Sequence, residues 1–141
     1  MSEPAGRRAA RRAAVVLLYQ QDLTGQTLFE VRENARRGGE PVDDPYVSQL
    51  VNGVSGEREA LDARLSGAAD GWTADRLGAV ERAILRVATW EIVHPEASVP
   101  VAVAINEAVA LAKRYCAAEA PSFINGVLGK IAREQTAGDD A

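Results

Sequence analysis

Apolar residues recur at three- and four-residue spacings along nearly the whole chain, and no useful stretch alternates with the period of two that a strand requires. The pattern predicts an all-α protein of about seven helices. The first spans about 6–23 and is stopped by Thr24-Gly25. Thr27, with Glu30 three residues on, reads as a capping box for a second helix over about 28–37, which Gly38-Gly39-Glu40-Pro41 ends. Asp44-Pro45 reads as an N-cap followed by proline at the first helical position. One long helix is then expected to about residue 69, bent near Gly53 and Gly56. Thr73 caps a short turn in this reading. A helix over 79–93 is apolar nearly all round (Val80, Ala83, Ile84, Leu85, Val87, Ala88, Trp90, Ile92, Val93), so it belongs at the centre. After Ser98-Val99-Pro100 comes a helix with the stripe Val101, Ile105, Ala108, Val109, Ala112, Tyr115 and Cys116. Pro121-Ser122 opens the last helix, to about 135, with Phe123, Ile124, Val127, Leu128 and Ile131 inward. The expected organisation is one domain of two small bundles, 6–69 and 72–135, with flexible tails at 1–5 and 136–141.

The first helix has a second pattern laid over the apolar one. Four arginines fall within residues 7–12, and no acid lies between Glu3 and Asp22. At about 100° per residue, with Arg7 at 0°, Arg11, Arg8 and Arg12 fall at roughly 40°, 100° and 140°. Ala10, Ala13, Ala14 and Leu17 occupy roughly 240° to 340°, and Tyr19 lies near 120°. One helix therefore offers a core face and a guanidinium face with an aromatic further down it. Guanidinium groups bind phosphates bidentately, and an aromatic ring stacks on an unpaired base. The alternative is a solvated arginine-rich helix start, at the unfavourable end of the helix dipole.

Charge sharpens this picture. The chain has 141 residues and a net charge of −4, which argues against a uniformly basic nucleic-acid binder. Residues 1–24 carry four arginines against two acids, a net of +2, leaving −6 for the rest. An acidic body with a basic end steers a polyanion to one face. The single cysteine rules out an intrachain disulfide and suits a cytoplasmic protein. No apolar run approaches 18 residues, so no membrane partner is expected.

Catalytic chemistry is hard to place. There is no phosphate-binding glycine loop, no C-x-x-C and no cluster with metal-ligand spacing, so neither an enzyme, a metal nor a cofactor is expected. His94 beside a proline reads as structural or solvated, and Cys116 as a buried, inert thiol. Arg82 and Arg86 lie one turn apart, as ligand contacts or as partners of internal acids. Glu81 and Glu91 sit on a helix that should be buried, so each needs a donor from the core or from a partner protein. Phe123 is a core residue or a base-stacking one.

Four segments, RRAARRAAVVLLYQQDL at 7–23, LGAVERAILRVATWEI at 77–92, VPVAVAINEAVALAKRY at 99–115 and FINGVLGKI at 123–131, resemble the NusB family of bacterial transcription antitermination factors. The resemblance implies a fold of two small helical bundles and no catalysis. It implies binding of boxA-type RNA in ribosomal RNA operon leaders, together with NusE, a small-subunit ribosomal protein. Other Nus factors and RNA polymerase join indirectly. By position it points to Arg7, Arg8 and Arg11 as RNA contacts, with Arg86 and Phe123 as further candidates, Ser122 beside them and Arg12 ambiguous. It assigns Tyr19, Leu23 and Glu81 to the protein partner. Three positions depart from the family pattern. Cys116 stands where many relatives have the glycine that ends the helix, Ser122 where many have a basic residue, and Ala69 where some have an aromatic. A helical interaction module, or a homodimer that hides the basic face, is the alternative.

Overall fold

A computed structural model of the chain describes residues 6–69 and 77–140, with the side chains of 139 and 140 left aside. Among these residues there are seven α-helices and no strand: α1 Arg7–Thr24, α2 Leu28–Arg37, α3 Pro45–Gly56, α4 Arg58–Ala68, α5 Ala79–Val93, α6 Val101–Tyr115 and α7 Ala120–Asp140. A 3-10 turn, Pro95–Ala97, links α5 to α6. The turn expected at Thr73 lies outside the described residues. No described helix is long and apolar enough to cross a membrane.

The local signals act where the sequence places them. Thr27 accepts from the Glu30 N–H at 3.1 Å, and Glu30 accepts in return from the Thr27 N–H at 3.2 Å. Asp44 accepts from the Tyr46 N–H at 2.9 Å, with Pro45 at the first helical position. Gly25 ends α1 at φ +71°, a left-handed conformation that glycine adopts without strain.

Two boundaries differ from expectation. The single long helix is two, α3 and α4, broken at Glu57 (φ −120°, ψ 19°). Its carboxylate turns towards α5, where it accepts from Trp90 Nε1 at 3.1 Å and pairs with His94 Nε2 at 2.8 Å. The tail expected from residue 136 instead continues α7 to Asp140, because Gly138 does not take the left-handed conformation that would end it.

Helix α5 lies at the centre. Every residue from Ala83 to Ile92 is buried, and the helix packs against α1, α3, α4, α6 and α7. A single buried apolar cluster runs through both halves of the chain. Two contacts show how closely α5 is approached. A Cβ built on Gly53 of α3 would lie 2.4 Å from the Trp90 indole nitrogen. On α6, Ala104, Ala108 and Ala112 repeat every fourth residue and are buried, while Val101 and Tyr115 of the predicted stripe are exposed. Small side chains let α6 seat closely, so its larger apolar residues fall on the flanks. Cys116 is half-buried at the end of α6, and its backbone is extended (φ −118°), so this helix end does not require glycine. Ala69 is buried, where a larger aromatic would need room made for it.

His94 is held between two carboxylates, with Nδ1 2.7 Å from Glu96 and Nε2 2.8 Å from Glu57. Burial disfavours its charged form, but hydrogen bonds to Glu57 and Glu96 and their charges outweigh this and raise its pKa above 6.5.

Two measurements check this packing. Gly53→Ala is expected to lower stability by about 1–3 kcal/mol, since the buried indole has nowhere to move; an unchanged denaturation midpoint would contradict the close α3–α5 contact. The His94 pairing contributes stability in full below about pH 6.5, and this is lost as pH rises through the raised folded value. His94→Gln should therefore lower the melting temperature at pH 6 and have little effect at pH 9.

Candidate nucleic-acid interface

The start of α1 is an electropositive helix end. Gly6, at φ +84°, supplies no side-chain cap, and the first turn contains no acid. The helix dipole then adds to the arginine charges. Arg7 lies with its guanidinium carbon 3.7 Å from the Tyr46 ring centroid, and its Nη1 donates to the Ala97 carbonyl at 2.7 Å. Arg8 points away from the core and is 82% exposed. It reaches Glu107 of α6 through Nε and Nη2 at 2.8 to 3.1 Å. Glu107 itself is only 13% exposed, while the Arg8 side chain lies in solvent, where a phosphate can reach it.

Arg11 departs from the expectation of an RNA contact. It is 2% exposed and makes a bidentate pair with Glu91 of α5, with Nε and Nη2 both at 2.9 Å from its oxygens. The Tyr46 hydroxyl donates to the same carboxylate. Burial, with the Glu91 charge beside it, raises the pKa of this phenol far above its ordinary value, so it stays a donor. The physical reason Arg11 lies inside is desolvation: Glu91 is buried and must be matched by donors. A signal for this exists in the sequence. At roughly 40° around α1, Arg11 falls between Leu18 and Val15, at roughly 20° and 80°, on the edge of the apolar sector. Arg12, by contrast, is about one-third exposed and only 3.5 Å from Glu40.

Arg86 likewise belongs inside. It is 5% exposed and pairs with Asp62 of α4 at 2.8 and 3.0 Å. Asp22, at the end of α1, lies 3.7 Å from Arg86 and 2.9 Å from Arg82. Burial works against the Asp22 charge, but the Arg82 hydrogen bond and the Arg82, Arg58 and Arg86 charges hold its pKa below the usual carboxylate range. Fifteen residues of helix separate Arg7 from Asp22, roughly 22 Å. Arg86 is therefore not brought together with Arg7 and Arg8, and it lines a separate cleft of about 360 Å³ with Asp22 and Arg58.

Ser122 and Phe123 are both exposed at the start of α7. Of the two positions expected for Phe123, core or base-stacking, the ring takes the exposed one. Helix α6, which carries the Glu107 partner of Arg8, packs along α7.

The residues expected to meet a protein partner lie elsewhere on α1. Tyr19 lines an apolar pocket of about 150 Å³ with Arg12, Val15, Val16, Val80 and Tyr115, where α1, α5 and α6 meet. Glu81 is half-buried next to Val80. Its charge reaches the Cys116 thiol, which burial already pushes up. Leu23 is 62% exposed, about one turn beyond Tyr19. Sequence reasoning missed Tyr46, Ala97 and Glu107, none of which carries a motif.

Removing Arg11 leaves the Glu91 charge short of donors in the core. Arg11→Met is expected to lose about 3–5 kcal/mol, and adding Glu91→Met should restore at least half of it. Urea denaturation measures both, and an unchanged midpoint for Arg11→Met would show that the pair does not hold the core.

The sequence model of the NusB family matches residues 8–133. The transcription antitermination protein NusB of Rubrobacter xylanophilus is 48% identical over 124 residues, 86% of each chain. That of Arthrobacter sp. is 38% identical over 122 residues, 86% of this chain and 89% of the relative. A crystal structure of antitermination factors NusB and NusE in complex with double-stranded RNA contains a chain of the same fold. Its TM-score is 0.80 at 28% identity, over 91% of this chain and 96% of that one. By sequence over almost its whole length, and by fold, this chain belongs to the NusB family.

Proposed function

We propose that this chain is a cytoplasmic transcription antitermination adaptor. It binds boxA-type single-stranded RNA of ribosomal RNA operon leaders together with NusE, and so helps the Nus factors assemble on RNA polymerase. The observation that carries this reading is the family match over residues 8–133. The solved complex of a similar chain with NusE and double-stranded RNA supports NusE and an RNA as partners; the single-stranded boxA form rests on the family match. The role asks for no catalytic step, only for two surfaces held in fixed relation.

On this reading, two groups of residues divide the work. Arg7, Arg8 and Arg12 form the phosphate-facing group at the uncapped start of α1. Phe123 offers an exposed ring for an unpaired base, with Ser122 as a hydroxyl donor beside it. Tyr19, Leu23 and Glu81 form the protein-facing group, and an apolar pocket of about 150 Å³ opens beside Tyr19. Arg11 and Arg86 stay in the core and take no part in contact. The acidic remainder of the chain repels RNA elsewhere and orients it to this end.

With three phosphate contacts on a single strand, the log affinity should fall with log salt at a slope of about −2. Titration of the chain and its NusE with a boxA-type RNA, at several salt concentrations, measures this. Arg7→Glu with Arg8→Glu should abolish RNA binding and leave the NusE complex intact. Leu23→Asp should do the reverse. If the arginine double variant binds RNA as the parent does, the RNA face is assigned wrongly.

A further inference from the structure

Arg7 is held by two neighbours that lie far from it in the sequence. Its guanidinium stacks on Tyr46, the second residue of α3, and it donates to the carbonyl of Ala97, the last residue of the 3-10 turn. Its side chain makes no other hydrogen bond among the described residues. A guanidinium has five N–H donors in one plane. With one face on a ring and one donor on a carbonyl, its remaining edge is presented in a fixed orientation.

The ring beneath it is itself immobilised. Tyr46 follows Pro45, its N–H is capped by Asp44, and it is 5% exposed. Its hydroxyl donates to Glu91, which is clamped by Arg11. The two ends of Tyr46 are thus held separately: the Arg11–Glu91 pair takes the hydroxyl, while burial in the core holds the ring that carries Arg7. Arg11, Glu91 and Tyr46 are buried, and Arg7 reaches the surface.

We propose that Tyr46 is a positioning residue for RNA recognition: its ring pre-orients the Arg7 guanidinium so that a phosphate meets an arginine already ordered. This rests on the reading of Arg7 as an RNA contact. An exposed arginine pays the ordering entropy when it binds, whereas this one is ordered beforehand. The flat face of the ring, and not its hydroxyl, does the positioning. The hydroxyl serves the core.

This division makes the two ends of one side chain separable. Tyr46→Phe keeps the ring and removes the Glu91 hydrogen bond, so stability falls while RNA affinity stays at the parental value. Tyr46→Leu removes the stacking surface, so affinity falls about 2- to 10-fold, the usual loss for ordering one long side chain. In an Arg7→Ala background, Tyr46→Leu should cause no further loss. The titrations use the full chain with NusE and a boxA-type RNA, below the melting temperature of every variant. Equal losses for Tyr46→Phe and Tyr46→Leu would overturn the proposal, because affinity would then follow core integrity. So would a loss for Tyr46→Leu that persists undiminished without Arg7. If Arg7→Ala itself leaves the affinity unchanged, the assignment of Arg7 to RNA fails, and the proposal with it. Should Tyr46→Leu not fold, Arg7→Lys replaces it. Lysine keeps the charge but not the planar stack, so affinity should drop with the salt slope unchanged; parental affinity for Arg7→Lys would overturn the proposal.

Discussion

A helix buried on every side cannot carry charges unless its neighbours answer them, and α5 carries both signs. Glu91 is answered by Arg11 from α1 and by the Tyr46 hydroxyl from α3, and Arg86 by Asp62 from α4 with Asp22 from α1 nearby. These pairs do not need to add much net stability, since two buried charges lose about as much hydration as they gain in attraction. Their effect is on register. A shift of α1 by one residue along α5 would leave both a carboxylate and a guanidinium unpaired in the core.

The same requirement decides what α1 can show to the outside. Two of its polar residues, Arg11 and Asp22, are turned inward to serve α5. That fixes the rotation of the helix, and the rotation sends Arg8 into solvent, lays Arg7 on Tyr46 and sets Tyr19 at the junction with α5 and α6. The proposed RNA end and the proposed protein end then lie on one rigid rod, with Arg7 and Arg8 roughly three turns from Tyr19. For an adaptor this is a useful consequence of core chemistry, because the spacing between partners is set by the helix.

Close seating governs the other side of α5. Gly53 admits the Trp90 indole, and the alanine stripe of α6 brings that helix in. Glu57 ends α3 and reaches the same tryptophan and His94, so the α3–α4 break is tied to the packing of α5. The flanking residues Val101 and Tyr115 stay outside as a result, and Tyr115 becomes part of the pocket beside Tyr19.

Much of this was legible in the residues. Caps at Thr27 and Asp44, the stop at Gly25, and the all-round apolar character of 79–93 are local properties, set within a few residues, and the fold class and central helix follow from them. The family resemblance rests on motifs that are equally local to read. What only the tertiary structure decided is which charges face water. Four arginines within six residues look alike in sequence, yet one is in the core, one is stacked on a ring, one lies on the surface and one sits between. The difference depends on partners 28 to 99 residues away: Glu40, Tyr46, Glu91, Ala97 and Glu107. Backbone hydrogen bonds and caps act at fixed short range, whereas desolvation acts on whatever the fold places nearby. The helix was therefore determined by the chain, and its binding face by what packs against it.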